Sequence, residues 1–316
     1  MKVLFTADLH IKTTQSNIPV DWQKNRYNKL FEKLLEESTI VDIVVIGGDI
    51  FDKIPNMEEL ELYFSLIKDF NKPTFIYDGN HEATKKGKTF LTNLKNVSNL
   101  VNSNIHILDK SCEMECIDFI PYCEIKTFNP KNFHNDLLCT HVRGNIPPHV
   151  KAEIDLKKLS KWKTVLAGDL HSYSNSQENI LYPGSPLTIT FHRELVDTGI
   201  IIFDTKTHKH EWVKFDLPQL LRKTVEKEED ILETKYHYTI YEIIGDINKL
   251  SKIKNNDLID KQLQVKDYSS TLDMSNLNCL EDEITLYCKQ ILKLKDTDIG
   301  ELIKVYHDYI KGAEMG

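Results

Sequence analysis

The sequence predicts an α/β fold in which mixed β-sheets are flanked by helices, and two observations lead to it. First, three short apolar runs, Val3–Ala7, Ile40–Ile46 and Pro73–Tyr77, alternate with two amphipathic segments, Asp21–Ser38 and Met57–Phe70. Strand, helix, strand, helix, strand is the order of a parallel βαβ layer. Second, shorter strand segments follow between residues 116 and 215. Several of them are spaced closely enough for hairpins, so we expect a second sheet.

The first strands are clearly delimited. Ile40–Ile46 is rich in β-branched residues and stops at Gly47 and Gly48, and Pro73–Tyr77 stops at Asp78-Gly79-Asn80. The two intervening segments carry large apolar side chains at helical spacing. The later strands are predicted at Cys116–Ile120, Leu137–Thr140, Thr164–Ala167, Ile180–Tyr182, Gly199–Phe203 and His210–Phe215.

The composition changes near residue 217. Lys223–Glu233 is rich in Glu and Lys and predicts a surface turn or helix, whereas Tyr236–Ile244 alternates aromatic and β-branched residues and predicts a strand. Asn255–Asp273 is polar and irregular. Two amphipathic helices are predicted after it, one at Glu281–Lys293 and one that starts at Asp298.

Size and composition bound the function. A chain of 316 residues, 41% hydrophobic, predicts one large domain and a smaller one. The net charge of −8 argues against tight DNA binding by the chain alone. Six cysteines without a Cys-x-x-Cys pair favour reduced thiols over a zinc ribbon. The N-terminal apolar stretch is too short for a signal peptide, and no run reaches membrane-spanning length. These features predict a cytoplasmic protein without membrane contact.

Metal-binding side chains follow the ends of five predicted strands. The clusters are Asp8-Leu9-His10, Gly48-Asp49-Ile50-Phe51-Asp52, Gly79-Asn80-His81-Glu82, His141, and Gly168-Asp169-Leu170-His171. Asp, Asn and His are the ligands that suit manganese, magnesium, iron or zinc. Each cluster alone also fits an ordinary loop or a hydrogen-bonded histidine, but the ordered set of five favours a metal site.

The spacing within the clusters suggests how ions would be held. Asp8 and His10 alternate along an extended segment, so both side chains can point to the same side. Asp49 follows two glycines that permit a tight turn, which makes it a candidate carboxylate bridge between two ions. Enzymes that hold two such ions a few ångströms apart usually cleave phosphate esters.

The ordered set of clusters resembles the calcineurin-like metallophosphoesterases. Gly48-Asp49-Ile50-Phe51-Asp52 is similar to the Gly-Asp-Leu-Phe-Asp motif of SbcD-type DNA double-strand-break repair nucleases. Tyr182-Pro183-Gly184-Ser185-Pro186, followed by Thr190-Phe191, is similar to their Tyr-x-Gly-Ser-Pro motif. The resemblance covers about residues 1 to 205 with specific motifs, and the length fits the short members found in tailed phages, which would act in the host cytoplasm.

The resemblance implies a four-layer α/β sandwich with two mixed sheets, a small α+β capping domain and C-terminal helices. The implied domains are residues 1–216 for the nuclease, 217–275 for capping and DNA recognition, and 276–316 for docking an ATPase. One metal would be held by Asp8, His10, Asp49 and His171, and the second by Asp49, Asn80, His141 and Asp169. His81 would act at the leaving-group oxygen, by protonating it or stabilising its charge.

The resemblance also suggests substrate contacts. Asp52, Gly184 and Ser185 are predicted near the DNA, with Gly184 and Ser185 at the rim of its groove. His192 and Arg193 are either phosphate contacts or an ordinary surface pair.

One residue departs from the family pattern. Asp169 stands where the family usually has a histidine, in Gly-His-x-His. A carboxylate is a competent ligand that favours oxygen-preferring ions, so we expect Mn²⁺ first and Mg²⁺ second. The alternative is a weakened second site with low activity.

The implied function is metal-dependent DNA cleavage, with exonuclease action at duplex ends and endonuclease action on single strands. The partners would be DNA, a coiled-coil ATPase of the SbcC type bound through the C-terminal helices, and a second copy of the chain, bound through the helices near Met57–Phe70 and Thr89–Val101. Two alternatives stay open: a small-molecule phosphodiesterase or phosphatase of the same superfamily, and a non-catalytic interaction subunit with a vestigial metal site.

Overall fold

The computed structural model describes residues 1–83, 89–232, 236–245, 247–254, 257–263 and 280–313. The chain divides into two units: residues 1–244 with 250–262, and residues 245–249 with 263–316. The described strands are β1 (Lys2–Thr6), β2 (Ile43–Gly47), β3 (Thr74–Tyr77), β4 (Ile105–Leu108), β5 (Cys112–Met114), β6 (Ile117–Ile120), β7 (Leu137–His141), β8 (Thr164–Gly168), β9 (Ile180–Leu181), β10 (Thr198–Asp204), β11 (Lys209–Phe215), β12 (Leu220–Val225), β13 (Tyr238–Gly245) and β14 (Ile259–Leu263). The described α-helices are α1 (Val20–Ser38), α2 (Met57–Ile67), α3 (Leu91–Val101), α4 (Ile247–Leu250), α5 (Leu280–Gln290) and α6 (Asp296–Ala313).

A six-stranded sheet in the order β11-β10-β1-β2-β3-β4 forms the first layer of strands. Strands β1 to β4 are parallel, and β10 and β11 continue the sheet in antiparallel orientation. The predicted parallel layer is therefore confirmed, with strand bounds that shift by up to three residues. Because β1, β2 and β3 run the same way, the loops that follow them emerge at one edge.

A five-stranded sheet in the order β5-β6-β7-β8-β9 forms the second layer. Strands β6 to β9 are parallel and β5 is antiparallel to β6. The register pairs His141 at the end of β7 with Gly168 at the end of β8. This register places the loops after both strands side by side.

The two sheets pack face to face. Phe5 and Val45 of the first sheet share a buried cluster with Phe119 and Leu166 of the second. On the other face of the six-stranded sheet, Leu4 and Ile46 are buried in one cluster with residues of α1, α2 and α3, among them Leu30, Leu62 and Leu91. The mixed sheets flanked by helices that the sequence predicts are thus present.

The outer face of the five-stranded sheet has a different cover. Leu138 and Val165 pack against Trp162 and Phe133, which lie in the segment from 121 to 163. All residues of that segment are described; apart from β7 they form short 3-10 turns and loops, without an α-helix. Large aromatic side chains take the place of a helix in burying this face.

A small third sheet has the order β12-β13-β14. Its residues Leu220, Tyr238 and Ile240 cluster with Ile18 and with the partly buried Trp22 and Phe191. Strand β13 confirms the prediction for Tyr236–Ile244. The prediction of a turn or helix at Lys223–Glu233 is wrong for its first residues, since β12 extends to Val225 and pairs in parallel with β13.

The segment predicted to be irregular, residues 255–273, is described only in part. Its residues Ile259–Leu263 form strand β14 at the edge of the third sheet, so the prediction is wrong there. Hydrogen bonding to β13 stabilises an extended conformation that the local sequence does not indicate. Residues 255–256 and 264–273 lie outside the described residues.

The second unit contains the two predicted C-terminal helices, α5 and α6. They contact each other, and Glu281 of α5 lies 3.0 Å from the imidazole Nε2 of His307 in α6. Cys288 and Ile299 are buried, whereas Tyr287, Leu302 and Val305 are exposed. No helix in the described ranges is long and apolar enough to span a bilayer.

Candidate metal centre

The seven predicted metal ligands lie at the ends of strands from both sheets. The segment after β1 runs beside the segment after β2, since Asp8 N donates to the carbonyl oxygen of Gly48 at 3.0 Å and His10 N donates to that of Asp49 at 2.9 Å. The second sheet adds His141, Asp169 and His171 from the ends of β7 and β8. Seven side chains spread over 164 positions of sequence, from Asp8 to His171, thereby meet at one edge.

Four of these ligands have unusual backbone conformations. The φ angles are 57° at Asp8, 44° at His10, 50° at Asp49 and 101° at Asp169. Non-glycine residues rarely adopt positive φ, and such strain is concentrated at functional sites. Surrounding hydrogen bonds hold these residues in place; Asp169 N, for example, donates to the Asp8 carboxylate at 3.1 Å.

One group of ligands gathers around His10 and His171. Their Nε2 atoms are 3.3 Å apart, and Oδ2 of Asp49 lies 3.7 Å from Nε2 of His10. Asp8 also belongs to the group, because one ligand atom each of Asp8, His10 and His171 falls within 4.8 Å of the others. This is the four-residue set that the family resemblance implies for the first ion.

The second group centres on Asn80. One atom of its side-chain amide lies 2.9 Å from Nε2 of His141, 3.2 Å from Oδ2 of Asp49 and 3.0 Å from Oδ1 of Asp169. The amide nitrogen in that position would donate to the carboxylate oxygens of Asp49 and Asp169. The amide oxygen in the same position can accept from a protonated Nε2 of His141 but faces those two carboxylate oxygens, and a cation among the four atoms removes that repulsion.

The spacing of the second group fits such a cation. Neighbouring ligand atoms of an octahedral ion with bonds of about 2.1 Å lie about 3 Å apart. Two carboxylates, an amide oxygen and an imidazole form a donor set for a hard or borderline divalent ion. The residues present therefore fit the metal that the sequence predicts.

Asp49 connects the two groups. Its Oδ2 lies 3.7 Å from Nε2 of His10 and 3.5 Å from Nε2 of His141. Its Oδ1 accepts a hydrogen bond of 2.9 Å from the backbone N–H of His81. With one oxygen fixed by the backbone, the other is directed to the space between the groups, as a bridging ligand requires.

The charges of the site favour a cation. Burial alone would lower the pKa of His141, but the negative charges of Asp49, Asp8 and Asp169 raise it to about 9. Nδ1 of His141 lies 2.9 Å from the carbonyl oxygen of Gly47, so the neutral ring donates from Nδ1 and turns the lone pair of Nε2 to the site. In the metal-free protein a proton on His141 therefore balances part of the negative charge of these carboxylates, which a metal ion would otherwise neutralise.

Gly48 is required for the position of His141. Its φ is +88°, and an added Cβ would lie 2.6 Å from Nδ1 of His141. We expect Gly48→Ala to destabilise the fold by about 2 kcal/mol through backbone strain and to weaken metal binding by displacing the ring. Thermal unfolding and Mn²⁺ titration check both effects.

Gly300 provides the matched control for Gly48→Ala. It lies in α6, and an added Cβ would meet nothing within 4 Å. Gly300→Ala should stabilise the helix by about 0.5–1 kcal/mol and leave Mn²⁺ binding unchanged. Equal stability effects of the two substitutions would contradict the assignment for Gly48.

His81 lies at the exposed side of the site. Its Nδ1 is 2.6 Å from the carbonyl oxygen of Asp52, and its Nε2 is 3.9 Å from Oδ2 of Asp49. The side chain is 35% exposed. The ring is thus fixed at Nδ1, while Nε2 lies near the Asp49 carboxylate on a partly exposed side chain; its role as a proton donor stays a prediction.

Asp52 was predicted as a substrate contact, and its observed partners belong to the protein. Its Oδ2 forms an ion pair with Nζ of Lys12 at 2.7 Å, and its Oδ1 lies 3.7 Å from Nδ1 of His10. The neighbouring His10 imidazole and the Lys12 ammonium lower the pKa of Asp52, so the carboxylate is ionised. A carboxylate behind a ligating imidazole orients the ring and raises its basicity.

Gly184 and Ser185 pack under the ligand loops. Gly184 has φ of +77°. Ser185 is 3% exposed, and its hydroxyl lies 2.7 Å from the carbonyl oxygen of Asp8 and 2.6 Å from that of Leu187. These contacts describe a residue that positions the Asp8 loop; its contact with substrate stays a prediction.

His192 and Arg193 lie beside the third sheet. The backbone of His192 pairs with β12, through N to Leu220 O at 3.0 Å and O to Arg222 N at 2.8 Å. Arg193 pairs with Glu242 at 2.5 Å and remains 60% exposed. The structure does not bring either residue into the two ligand groups.

Two residues that the sequence analysis did not assign support the ligands. Glu82 is fully buried and accepts hydrogen bonds of 2.8 to 2.9 Å from the backbone N–H groups of Asp49, Phe51 and Gly79. Burial and the charge of Asp49 raise its pKa to about 8. Arg143 binds both carboxylate oxygens of Asp169, at 2.9 and 3.1 Å.

The sequence hints at a supporting role for Glu82 and Arg143 only through their positions close to predicted site residues. Glu82 follows His81 directly within Gly-Asn-His-Glu, and Arg143 lies two positions after His141.

Comparison with known proteins decides the family. The model of the family described as calcineurin-like phosphoesterase matches residues 1–165. The chain belongs to the calcineurin-like phosphoesterase family. Five of the seven predicted ligands of this phosphoesterase, from Asp8 to His141, fall within the matched residues, and Asp169 and His171 follow shortly after.

Two individual proteins are similar to this phosphoesterase. A protein of Escherichia phage T5 named "Probable exonuclease subunit 1" is 40% identical over 325 residues, which cover 98% of this chain and 99% of that protein. Among solved structures, TT1561 of Thermus thermophilus covers 66% of this chain and 96% of its own, with 12% identity and a TM-score of 0.42.

Proposed function

We propose that this phosphoesterase is a two-metal DNA nuclease, with exonuclease action at duplex ends and endonuclease action on single strands. The observation that carries the proposal is the meeting of two ligand groups on one shared carboxylate, Asp49. Near full-length identity of 40% to a protein named as an exonuclease subunit supports DNA as the substrate.

Each site residue has a distinct part in this proposal. Asp8, His10 and His171 would hold one ion, Asn80, His141 and Asp169 the other, and Asp49 both. When bound, the ions supply charge neutralisation at the scissile phosphate and a water of lowered pKa. His81 donates a proton from Nε2 to the departing ester oxygen, while the Asp52 carbonyl fixes its ring. Glu82 holds the Asp49 loop in place throughout.

We propose Mn²⁺ as the working ion, with Mg²⁺ as the alternative. The second group contains two carboxylates and an amide oxygen beside a single imidazole, and such oxygen-rich sets suit these ions. The first group contains two imidazoles, which Mn²⁺ accepts more readily than Mg²⁺ does.

Because an acidic chain binds DNA weakly by itself, we also propose that it acts with partners. We place the nuclease function in residues 1–216, capping and DNA recognition in 217–275, and the docking of an SbcC-type ATPase in 276–316, with DNA recombination and repair as the setting. Exposed apolar side chains on α5 and α6, among them Tyr287, Leu302 and Val305, support the docking role. The T5 relative is named as a subunit, which also supports a partner.

We also propose that two copies associate through α2 and α3. Met57 at the start of α2 is 80% exposed, and Leu100 in α3 is 86% exposed. These two apolar side chains, on helices that contact each other, are the observation behind this proposal.

The nuclease proposal is tested with linear and covalently closed duplex DNA of one sequence. The purified chain with Mn²⁺ should shorten the linear duplex from its ends and leave the closed duplex intact, and chelation with EDTA should stop cleavage. Hydrolysis of bis-p-nitrophenyl phosphate without any DNA cleavage would instead favour a small-molecule phosphodiesterase. Inactivity on both would favour the interaction subunit or a strict need for the ATPase.

The docking proposal is tested by truncating the chain after Ser275. A soluble, active product that no longer binds the ATPase is expected. Aggregation of the product would show that the helices cover apolar surface of their own chain.

A further inference from the structure

Arg143 forms a two-pronged contact with Asp169. Its Nε lies 2.9 Å from Oδ2 and its Nη2 lies 3.1 Å from Oδ1. The carboxylate is 5% exposed, whereas the arginine side chain is 44% exposed. The guanidinium therefore lies at the rim of the site, with one edge turned inward to a proposed metal ligand.

The contact leaves donors of Arg143 free. A guanidinium carries five N–H groups, and the fork uses two of them. Among the described residues, no acceptor lies within hydrogen-bonding distance of Nη1 of Arg143. An arginine whose plane is fixed by a carboxylate loses little freedom when its remaining donors bind a further anion.

The place of this guanidinium is set by Asp169. Oδ1 of Asp169 accepts from Nη2 and also lies 3.9 Å from Nε2 of His141 and 3.0 Å from the amide atom of Asn80. Asp169 thus connects Arg143 to the other members of the second ligand group. A phosphate ester bound at that group would present its non-bridging oxygens beside the free edge of Arg143.

Electrostatics also favours this use. The chain has a net charge of −8, and the centre itself contains Asp8, Asp49 and Asp169. A phosphodiester approaching such a centre benefits from a cation that is already fixed at the rim. Arginine suits the task because its planar donors match phosphate geometry.

We propose that Arg143 binds a non-bridging oxygen of the substrate phosphate through Nη1, while Asp169 holds the guanidinium in place. This inference rests on the proposed two-metal phosphoesterase function and adds a substrate-binding residue to it. It also gives Asp169 two parts, as a metal ligand and as the anchor of a phosphate-binding arginine.

The test is a binding measurement that does not depend on turnover. Arg143→Gln and wild type are loaded with Mn²⁺, and thymidine 5′-monophosphate is titrated into each by calorimetry, with thymidine as the ligand that lacks phosphate. Because a hydrogen bond to a charged group is lost, we expect the affinity of Arg143→Gln for the monophosphate to fall about tenfold or more. Both proteins should still bind two Mn²⁺ ions.

Lys33→Gln is the control for the loss of one positive charge. Lys33 pairs with Glu36 at 2.6 Å on the exposed surface of α1. The C-terminal end of α1 leads to the start of β2, at the sheet edge opposite the metal site. Its monophosphate affinity should stay within about twofold of wild type, since exposed ion pairs contribute little.

Three outcomes would overturn the inference. Unchanged monophosphate affinity in Arg143→Gln with two ions bound would show that the arginine does not reach phosphate. Loss of one ion in that variant would show that Arg143 acts through Asp169 only. An equal loss in Lys33→Gln would reduce the effect to overall charge. Failure of the proposed nuclease function can be distinguished from failure of this inference, because the wild-type protein would then bind no Mn²⁺ ions or cleave no DNA.

Discussion

Asp49→Asn should lose both metal ions and nearly all catalytic activity. Oδ2 of Asp49 lies between the two ligand groups, 3.7 Å from Nε2 of His10 and 3.5 Å from Nε2 of His141. In asparagine, Oδ1 can still accept from the His81 N–H, which turns an NH₂ group towards the metal site. Because metal ions contribute several kcal/mol to transition-state stabilisation, we expect the rate of DNA cleavage to fall about 10³-fold or more.

Calorimetric titration with Mn²⁺ and an end-labelled duplex assay measure the two effects. Thermal unfolding of the metal-free variant is the control for folding. The Asp49 backbone N–H remains bonded to Glu82 at 2.9 Å, so the loop should keep its conformation. A folded Asp49→Asn that binds two ions with wild-type affinity would show that Asp49 is not the shared ligand.

His81→Ala should lower the cleavage rate and leave metal binding intact. The ring is partly exposed, and its Nδ1 contacts only the backbone carbonyl of Asp52 among the described hydrogen bonds, so its removal leaves the side chains of the seven metal ligands in place. General acid catalysis contributes about 10²–10⁴-fold, so we expect kcat for DNA to fall in that range.

The leaving group separates the chemical role of His81 from a structural one. p-Nitrophenolate departs without a proton, so His81→Ala should lose far less activity on bis-p-nitrophenyl phosphate than on DNA. Equal losses on both substrates, with two ions still bound, would indicate that His81 binds the phosphate and does not protonate the leaving oxygen.

Much of the metal centre could be predicted from sequence because parallel strands place their following residues at one edge. Asp8, Asp49 and Asn80 each follow an apolar run that forms a buried strand, and the structure brings them together. Local sequence patterns sufficed for these residues. His141 and His171 also follow predicted strands, but the packing of the two sheets that brings them to the same edge depends on long-range contacts that no local pattern shows.

Residues that support the ligands were harder to predict. Glu82 binds three backbone N–H groups, and Ser185 binds two carbonyl oxygens, so their partners are main-chain atoms that carry no sequence signal. Arg143 is one of many charged residues in loops, and only the fold reveals that it contacts Asp169.

The misassigned segment at β12 has a comparable physical reason. Lys223 and Thr224, at the start of the segment predicted as a surface turn or helix, are polar, yet they lie in a strand that also contains Arg222. Arg222 is accommodated there by Glu242 and Asp260, each 2.8 Å from its Nη1. Those two acidic residues lie on other strands of the sheet, so tertiary pairing overrode the local preference.

The most direct test of the two-metal account is a titration of the metal-free chain with Mn²⁺, in which bound ions and cleavage of an end-labelled linear duplex are measured in parallel. We expect two ions per chain and cleavage that rises with occupancy of the second ion. Binding of a single ion, or cleavage that is already complete before the second ion binds, would contradict it.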